Sequence, residues 1–186
     1  MRDDFHTPLT VARFVLDTCS VINLNSLDTG FLELQQHYQR KRVMLAKTDV
    51  VDTERAPPGR SSEFHKFISE IDLLELHGVA VFGHSRIGHS VFGSRDDETL
   101  LQEIAALVSA GRRSNRNKVN DLRDAMHIST AIRYKWDGFI TGDKRLLRLD
   151  RTIQTKFGLR VVNVSTALQL IEEHLRRQNP RKPPSY

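Results

Sequence analysis

Asp17, Asp124 and Asp143 occupy positions where an α/β chain can do chemistry. Asp17 closes the short apolar run Arg13-Phe14-Val15-Leu16, and Asp143 comes directly after Phe139-Ile140-Thr141-Gly142. Asp124 lies between them in the stretch DLRDAMHISTAIRYKW, with Asp121 one helical turn earlier. Two of these acids therefore follow the ends of strands, and ligands of open parallel α/β sheets bind beyond the carboxyl ends of the strands. Carboxylates gathered there repel: at about 4 Å the repulsion is about 4 kcal/mol at an effective dielectric of about 20. A cluster of them needs a cation. Donor sets made only of oxygen select Mg2+ or Mn2+ over zinc, which prefers nitrogen and sulfur.

The elements that must position these acids follow from periodicity. Leu122, Ala125, Met126, Ser129 and Ile132 recur at helical spacing and predict a helix with one packing face. Asp121, Asp124 and Ile128 form an adjoining stripe. Trp136-Asp137-Gly138 is a turn, Phe139-Ile140-Thr141 an interior strand, and Gly142 lets the chain turn again. Upstream, Arg13–Leu16 predicts the first strand. Asp17 or Thr18 is the N-cap of an apolar helix carrying Val21, Ile22, Leu24 and Leu27. Residues 30–40 predict a second helix, Val43–Ala46 a second strand, and DVVDTER a short helix capped by Thr48 or Asp49. Phe64, Phe67, Ile68, Ile71, Leu74 and Leu76 predict a helix that Gly78 ends, followed by a third strand at Val79–Phe82. Residues 83–97 are irregular, and His84 and His89, five apart in a loop, read as surface histidines. A helix is expected from Asp97 through Ala110, with Gly111 as its stop. Beyond Asp143 we expect a helical turn over 144–149, irregular chain over 150–157 and a last strand over 159–164. A final helix through Arg177 follows, capped by Ser165 and Thr166.

This alternation predicts a three-layer α/β/α fold with a mostly parallel central sheet of about four to five strands. One domain over residues 13–177 is expected, after a lead-in at 1–12 and before a basic, proline-rich tail at 178–186 expected to be disordered. At 186 residues and 39% hydrophobic, the chain suits a single core. It has no apolar run near the about 18 residues of a membrane span, and the opening MRDDFHTPLT lacks the apolar stretch of a secretory leader. Cys19 is the only cysteine, which excludes an intrachain disulfide and a Cys-rich zinc site and points to a reducing, cytoplasmic setting. The net charge of +5 permits a polyanionic partner.

Four motifs in order resemble those of the PIN-domain nucleases, the fold of the toxin ribonucleases of toxin–antitoxin modules and of several RNA-processing endonucleases. VLDTCSVINL resembles the family's first strand, Asp-Thr and following apolar helix, giving Asp17. DVVDTER resembles the helix start that carries the second acid, giving Glu54, with Asp49 and Asp52 as competitors for that role. DAMHISTA resembles the helix opening of the third, giving Asp124, which Asp121 could supplement. TGD resembles the fourth, giving Asp143 with Thr141 beside it. The likeness runs from about Arg13 to Val164, and the long interval between Glu54 and Asp124, with its loop 83–97, departs from the pattern.

The resemblance implies an endoribonuclease that uses Mg2+ or Mn2+. Asp17, Asp124 and Asp143 would be its main metal ligands and Glu54 would complete the shell or orient the water. Thr141 would hydrogen-bond a ligand carboxylate or a phosphate, and the products would carry 5′-phosphate and 3′-hydroxyl ends. RNA is the implied partner, with an antitoxin or other regulatory protein, and a second copy of the chain, as further ones; no membrane is implied. The alternative is a catalytically inactive PIN scaffold that binds RNA or a protein. A phospho-acceptor receiver domain shares the strand–helix alternation, but it needs an acidic pair at the first strand and a Lys after the last active-site strand, and neither stands at the right place. On sequence alone, Asp124→Asn or Asp143→Asn should leave the metal-free protein no less stable, because a repelling charge is removed.

The basic residues flanking the acids generate a prediction. Arg112, Arg113, Arg116 and Lys118 precede the helix of Asp124, and Lys144 and Arg145 follow Asp143. If they hold an RNA backbone, replacing Arg112, Arg113 and Arg116 together by Ala should weaken binding of every sequence. It should also flatten the log–log salt slope by about 0.7 per lost contact on single strands. An unchanged slope in fluorescence-anisotropy titrations would remove that loop from the binding surface.

Overall fold

Short apolar runs flanked by helices pair side by side into one sheet. The computed structural model describes residues 11–24, 27–51, 73–81, 84–85, 90–110 and 118–178. In chain order the elements are β1 (Ala12–Leu16), α1 (Thr18–Asn23), α2 (Thr29–Gln39), β2 (Val43–Thr48), β3 (Leu74–Leu76), α3 (Arg95–Ser109) and α4 (Lys118–Arg133). They continue with β4 (Gly138–Ile140), α5 (Lys144–Leu147), α6 (Asp150–Phe157), β5 (Arg160–Val162) and α7 (Val164–Gln178). The strands form a five-stranded sheet of order β3-β2-β1-β4-β5 in which every pair is parallel.

The period-two alternation of the strands divides their side chains between two cores. Ala12, Phe14, Leu16, Leu45, Ile140 and Val162 pack with Val21, Phe31, Leu34 and Ile171 of α1, α2 and α7. Val15, Ala46, Phe139 and Val161 pack on the other face with Ile104, Val108, Ala125, Ile128, Leu146 and Ile153 of α3 to α6. Each large side chain fully buried in this way contributes about 1.5–3 kcal/mol. The sheet is thus the middle of three layers. Parallel crossovers are right-handed, so a chain that reverses its direction of travel across the sheet must cross on the opposite face. The chain moves from β1 to β2 by way of α1 and α2 and on to β3, then returns past β2 and β1 to β4 by way of α3 and α4, and the two pairs of helices lie on opposite faces. That reversal leaves a switch point between the carboxyl ends of β1 and β4, where α/β folds bind ligands. No described helix is long and apolar enough to cross a membrane.

Several elements differ from their sequence expectations for identifiable reasons. The third strand is Leu74–Leu76 rather than 79–82, so Leu74 and Leu76 do not belong to a helix; their spacing of two is a strand's period. Val79 makes only an isolated bridge to Val91. Residues 150–157 are helical: Leu149, Ile153 and Phe157 recur every four residues, and Gly158 closes the helix with a left-handed φ of 78°. The helix expected from Asp97 starts two residues earlier, because Ser94 and Asp97 form a reciprocal capping box. The last helix is capped by Asn163, which accepts the Thr166 N–H at 2.8 Å, rather than by Ser165 or Thr166. Asp17, not Thr18, caps α1. The helix over 64–72, the stop at Gly111, the lead-in up to residue 10 and the tail beyond 178 lie outside the described residues.

The β1–β4 pairing makes one position especially intolerant. Gly138 is in register with Phe14, and a Cβ added there would stand 2.5 Å from the Phe14 ring. Gly138→Ala should destabilise the protein by about 1–3 kcal/mol, and Phe14→Leu in the same background should recover part of that loss. Urea unfolding of the single and double variants checks it; a Gly138→Ala protein as stable as the parent would contradict this packing.

Candidate active site

The two strands at the switch point deliver their acids directly. β1 ends at Leu16, and Asp17 follows with its N–H bonded to the carbonyl of Ile140 at 3.0 Å, so the ends of β1 and β4 are tied together. Asp17 Oδ1 accepts the Ser20 N–H at 2.6 Å and caps α1. Its Oδ2 accepts the hydroxyl of Thr141 at 2.6 Å. Thr141 is 1% exposed, and its Oγ1 also accepts the N–H of Asp143 at 3.0 Å. One buried hydroxyl therefore joins the two acids that follow β1 and β4. Of the roles implied for Thr141, the structure shows the bond to a carboxylate.

The third acid arrives on α4. Asp121 and Asp124 lie one turn apart on the helix, Asp121 in its first turn, where a carboxylate suits the helix dipole. Three residues beyond Asp124, buried His127 meets Thr48 at the end of β2, Nδ1 to Oγ1 at 2.6 Å. That bond pins α4 to the sheet and helps fix its rotation. His127 escaped the sequence reading because one histidine on an apolar helix face carries no pattern of its own.

A single guanidinium joins these groups. Arg145 Nη1 donates to Asp121, and Nη2 donates to Asp124 Oδ2 at 2.6 Å and to Asp143 Oδ2 at 3.1 Å. Nη1 also reaches the carbonyl of Val108, in the last turn of α3, at 3.4 Å. The Arg145 N–H bonds Asp143 Oδ1 at 2.7 Å, where Asp143 caps α5. Burial pushes the Asp143 carboxyl up, but the N–H and guanidinium of Arg145 and the N–H of Leu146 outweigh it and hold the group below its usual range. Burial likewise disfavours the charged Arg145, and its bonds to Asp121 and Asp143 with the charges of Asp124 and Asp143 raise it further above its ordinary value. Asp121, 5% exposed, thus belongs to the same cluster.

The other sequence candidates fall as follows. Glu54, its competitor Asp52, and Arg112, Arg113 and Arg116 lie outside the described residues. The competitor Asp49 is buried and tied to the chain's own loop, accepting the Gly78 N–H at 3.0 Å and the Ser90 hydroxyl at 2.7 Å. Lys118 and Lys144 are exposed at the first residues of α4 and α5. The Arg145 guanidinium lies on the acids.

Oxygen donors from Asp17, Asp121, Asp124 and Asp143 suit a hard divalent cation, and three of these acids already share one positive group. Among the described residues, no three acidic, histidine or cysteine side chains converge as a ready-made cage. The guanidinium stands between them. No protein-family model matches the chain, and no curated protein matches it.

Arg145 also reverses the sign expected for the Asn variants. In metal-free buffer Asp124→Asn and Asp143→Asn each remove a guanidinium partner, so both should melt below the parent rather than level with it or above. Asp143 has its pKa depressed in the folded state, so its contribution is complete above its unfolded pKa of about 3.9 and is lost as pH falls through the lower folded value. The difference in Tm between the parent and Asp143→Asn should therefore be steady near neutrality and close below about pH 4. A difference that persists through the acid limb would show that these contacts do not act on Asp143.

Proposed function

We propose that this protein is a metal-dependent endoribonuclease of the PIN type, serving as the toxin of a toxin–antitoxin module or as an RNA-processing nuclease. The observation that carries the proposal is the linkage at the switch point of Asp17 to Asp143 through Thr141, and of Asp143 to Asp124 through Arg145. The four motifs that resemble the family's lead to three of these same residues.

Asp17, Asp124 and Asp143 would hold the cation, with Asp121 as an adjoining acid and Glu54 assigned by resemblance to complete the shell or orient the attacking water. When bound, Mg2+ or Mn2+ acidifies that water and offsets charge developing on the phosphate. Water attacks phosphorus, the bond to the 3′-oxygen breaks, and that oxygen takes a proton, giving 5′-phosphate and 3′-hydroxyl ends. Thr141 keeps Asp17 in one orientation, as its buried hydroxyl leaves the carboxylate little freedom. Lys118 and Lys144, with Arg112, Arg113 and Arg116, would hold the RNA backbone beside the acids. A cytoplasmic location, an antitoxin or other regulatory protein and a homodimer belong to the same proposal. One observation favours a second reading, an inactive scaffold that binds RNA or protein: the acids already hold an internal cation in Arg145.

Cleavage of end-labelled single-stranded RNA separates the two readings. The parent should cut with Mg2+ or Mn2+ and stop in EDTA. Asp124→Asn and Asp143→Asn should each lose at least about 100-fold in rate, as expected when a metal that supplies several kcal/mol is no longer held. Full cleavage by both variants would exclude this site, and no cleavage by the parent under any divalent cation would favour the scaffold.

A further inference from the structure

Arg145 is held more tightly than a residue waiting for substrate. Its guanidinium contacts Asp121, Asp124 and Asp143 and the Val108 carbonyl, and its side chain is 27% exposed. The fork of donors matches carboxylates well, and each such charge-assisted bond is shorter and stronger than a neutral one. These carboxylates include two that a metal would need, and a guanidinium and a divalent cation cannot share the same oxygens at full strength. Opposite charge also favours the present arrangement, because the guanidinium offsets the repulsion between the acids of α4 and Asp143.

We propose that Arg145 is the resident counter-ion of the acidic site, and that a divalent cation enters only by exchange with it. The site then has two states. In the closed state the guanidinium ties α5 to α4 and to the end of α3. In the open state the carboxylates would hold the metal, and the freed guanidinium would be available to bind an anion such as the scissile phosphate. Arg145 is thus a positioning residue that couples metal entry to the packing of three helices. The proposal rests on the nuclease reading of this site, and it adds a requirement that the reading alone does not contain: apparent metal affinity is lowered by the closed state. A binding-competent state populated at about 0.1–10% weakens apparent affinity by about ten- to thousandfold.

Mn2+ binding to the EDTA-stripped full chain tests it, by calorimetry and by the rise in Tm, for the parent, Arg145→Gln, Arg145→Lys and Lys144→Gln. Lys144→Gln removes an equal charge from the adjacent exposed residue and reports the general electrostatic effect. Arg145→Gln should melt lower than the parent in EDTA, bind Mn2+ about tenfold or more tightly, and show the larger rise in Tm on adding it. Lys144→Gln should change affinity much less, and Arg145→Lys, which keeps the charge without the fork, should fall between. In the parent, the Arg145 side-chain Nε–H signal should move as Mg2+ is titrated; with Arg145→Lys, this decides the question if Arg145→Gln does not fold. Mn2+ binding no tighter in Arg145→Gln than in Lys144→Gln, or an Arg145 signal unmoved at saturating Mg2+, overturns the exchange and leaves the nuclease reading standing. Failure of both the parent and Arg145→Gln to bind Mn2+ overturns the exchange and the nuclease reading together.

Discussion

The guanidinium of Arg145 among Asp121, Asp124 and Asp143 is the interaction around which the functional edge of this protein is arranged. Carboxylates at such spacing are mutually repulsive. A positive group must therefore be part of the folded structure. Arg145 is two residues beyond Asp143, close enough for its own N–H to bond the carboxylate while its guanidinium reaches α4. One short segment thus supplies an acid, the helix cap that acid forms, and the charge that makes the acid tolerable.

The rest of the fold serves to hold that edge. Parallel pairing of β1 with β4 sets the ends of these strands side by side, and the Asp17 N–H and the Thr141 hydroxyl close the join. The close fit of Phe14 over Gly138 fixes the register on which the alignment depends. On the other side, the buried pair Thr48–His127 ties α4 to β2, so that Asp121 and Asp124 face the strand ends. The same edge then has one chemical character, acidic and oxygen-rich, in a chain whose net charge is +5. That opposition of an acidic edge and a basic whole suits a site that takes a cation and a polyanion together.

Much of this was legible from residue order. The alternation of apolar runs and helical faces led to the layered parallel sheet, because strands buried on both faces and crossover helices leave distinct periodicities. The placement of Asp17 and Asp143 after strands was legible for the same reason. Short elements were harder. β3 has three residues, and the helical spacing of the apolar residues before it in sequence masks the spacing of two between Leu74 and Leu76. α6 buries only Ile153 completely, so its apolar face is thin and the segment reads as loop. The role of Arg145 was out of reach for a different reason. A basic residue beside an acidic site suggests an external anion, and only the three-dimensional approach of α4 to α5 shows that its charge is answered within the chain. Asp121 was visible as a neighbour of Asp124 on the helix, but its burial on the guanidinium was not.

The central claim is that Asp17, Asp124 and Asp143 form a divalent-cation site. Diffraction from crystals grown with Mn2+, recorded where manganese scatters anomalously, tests it most directly. The account predicts an anomalous peak bonded to carboxylate oxygens of Asp124 and Asp143, with Asp17 as a direct or water-mediated ligand and the Arg145 guanidinium withdrawn from them. A saturated crystal with Arg145 still seated on all three acids, and manganese only elsewhere on the chain, would contradict it.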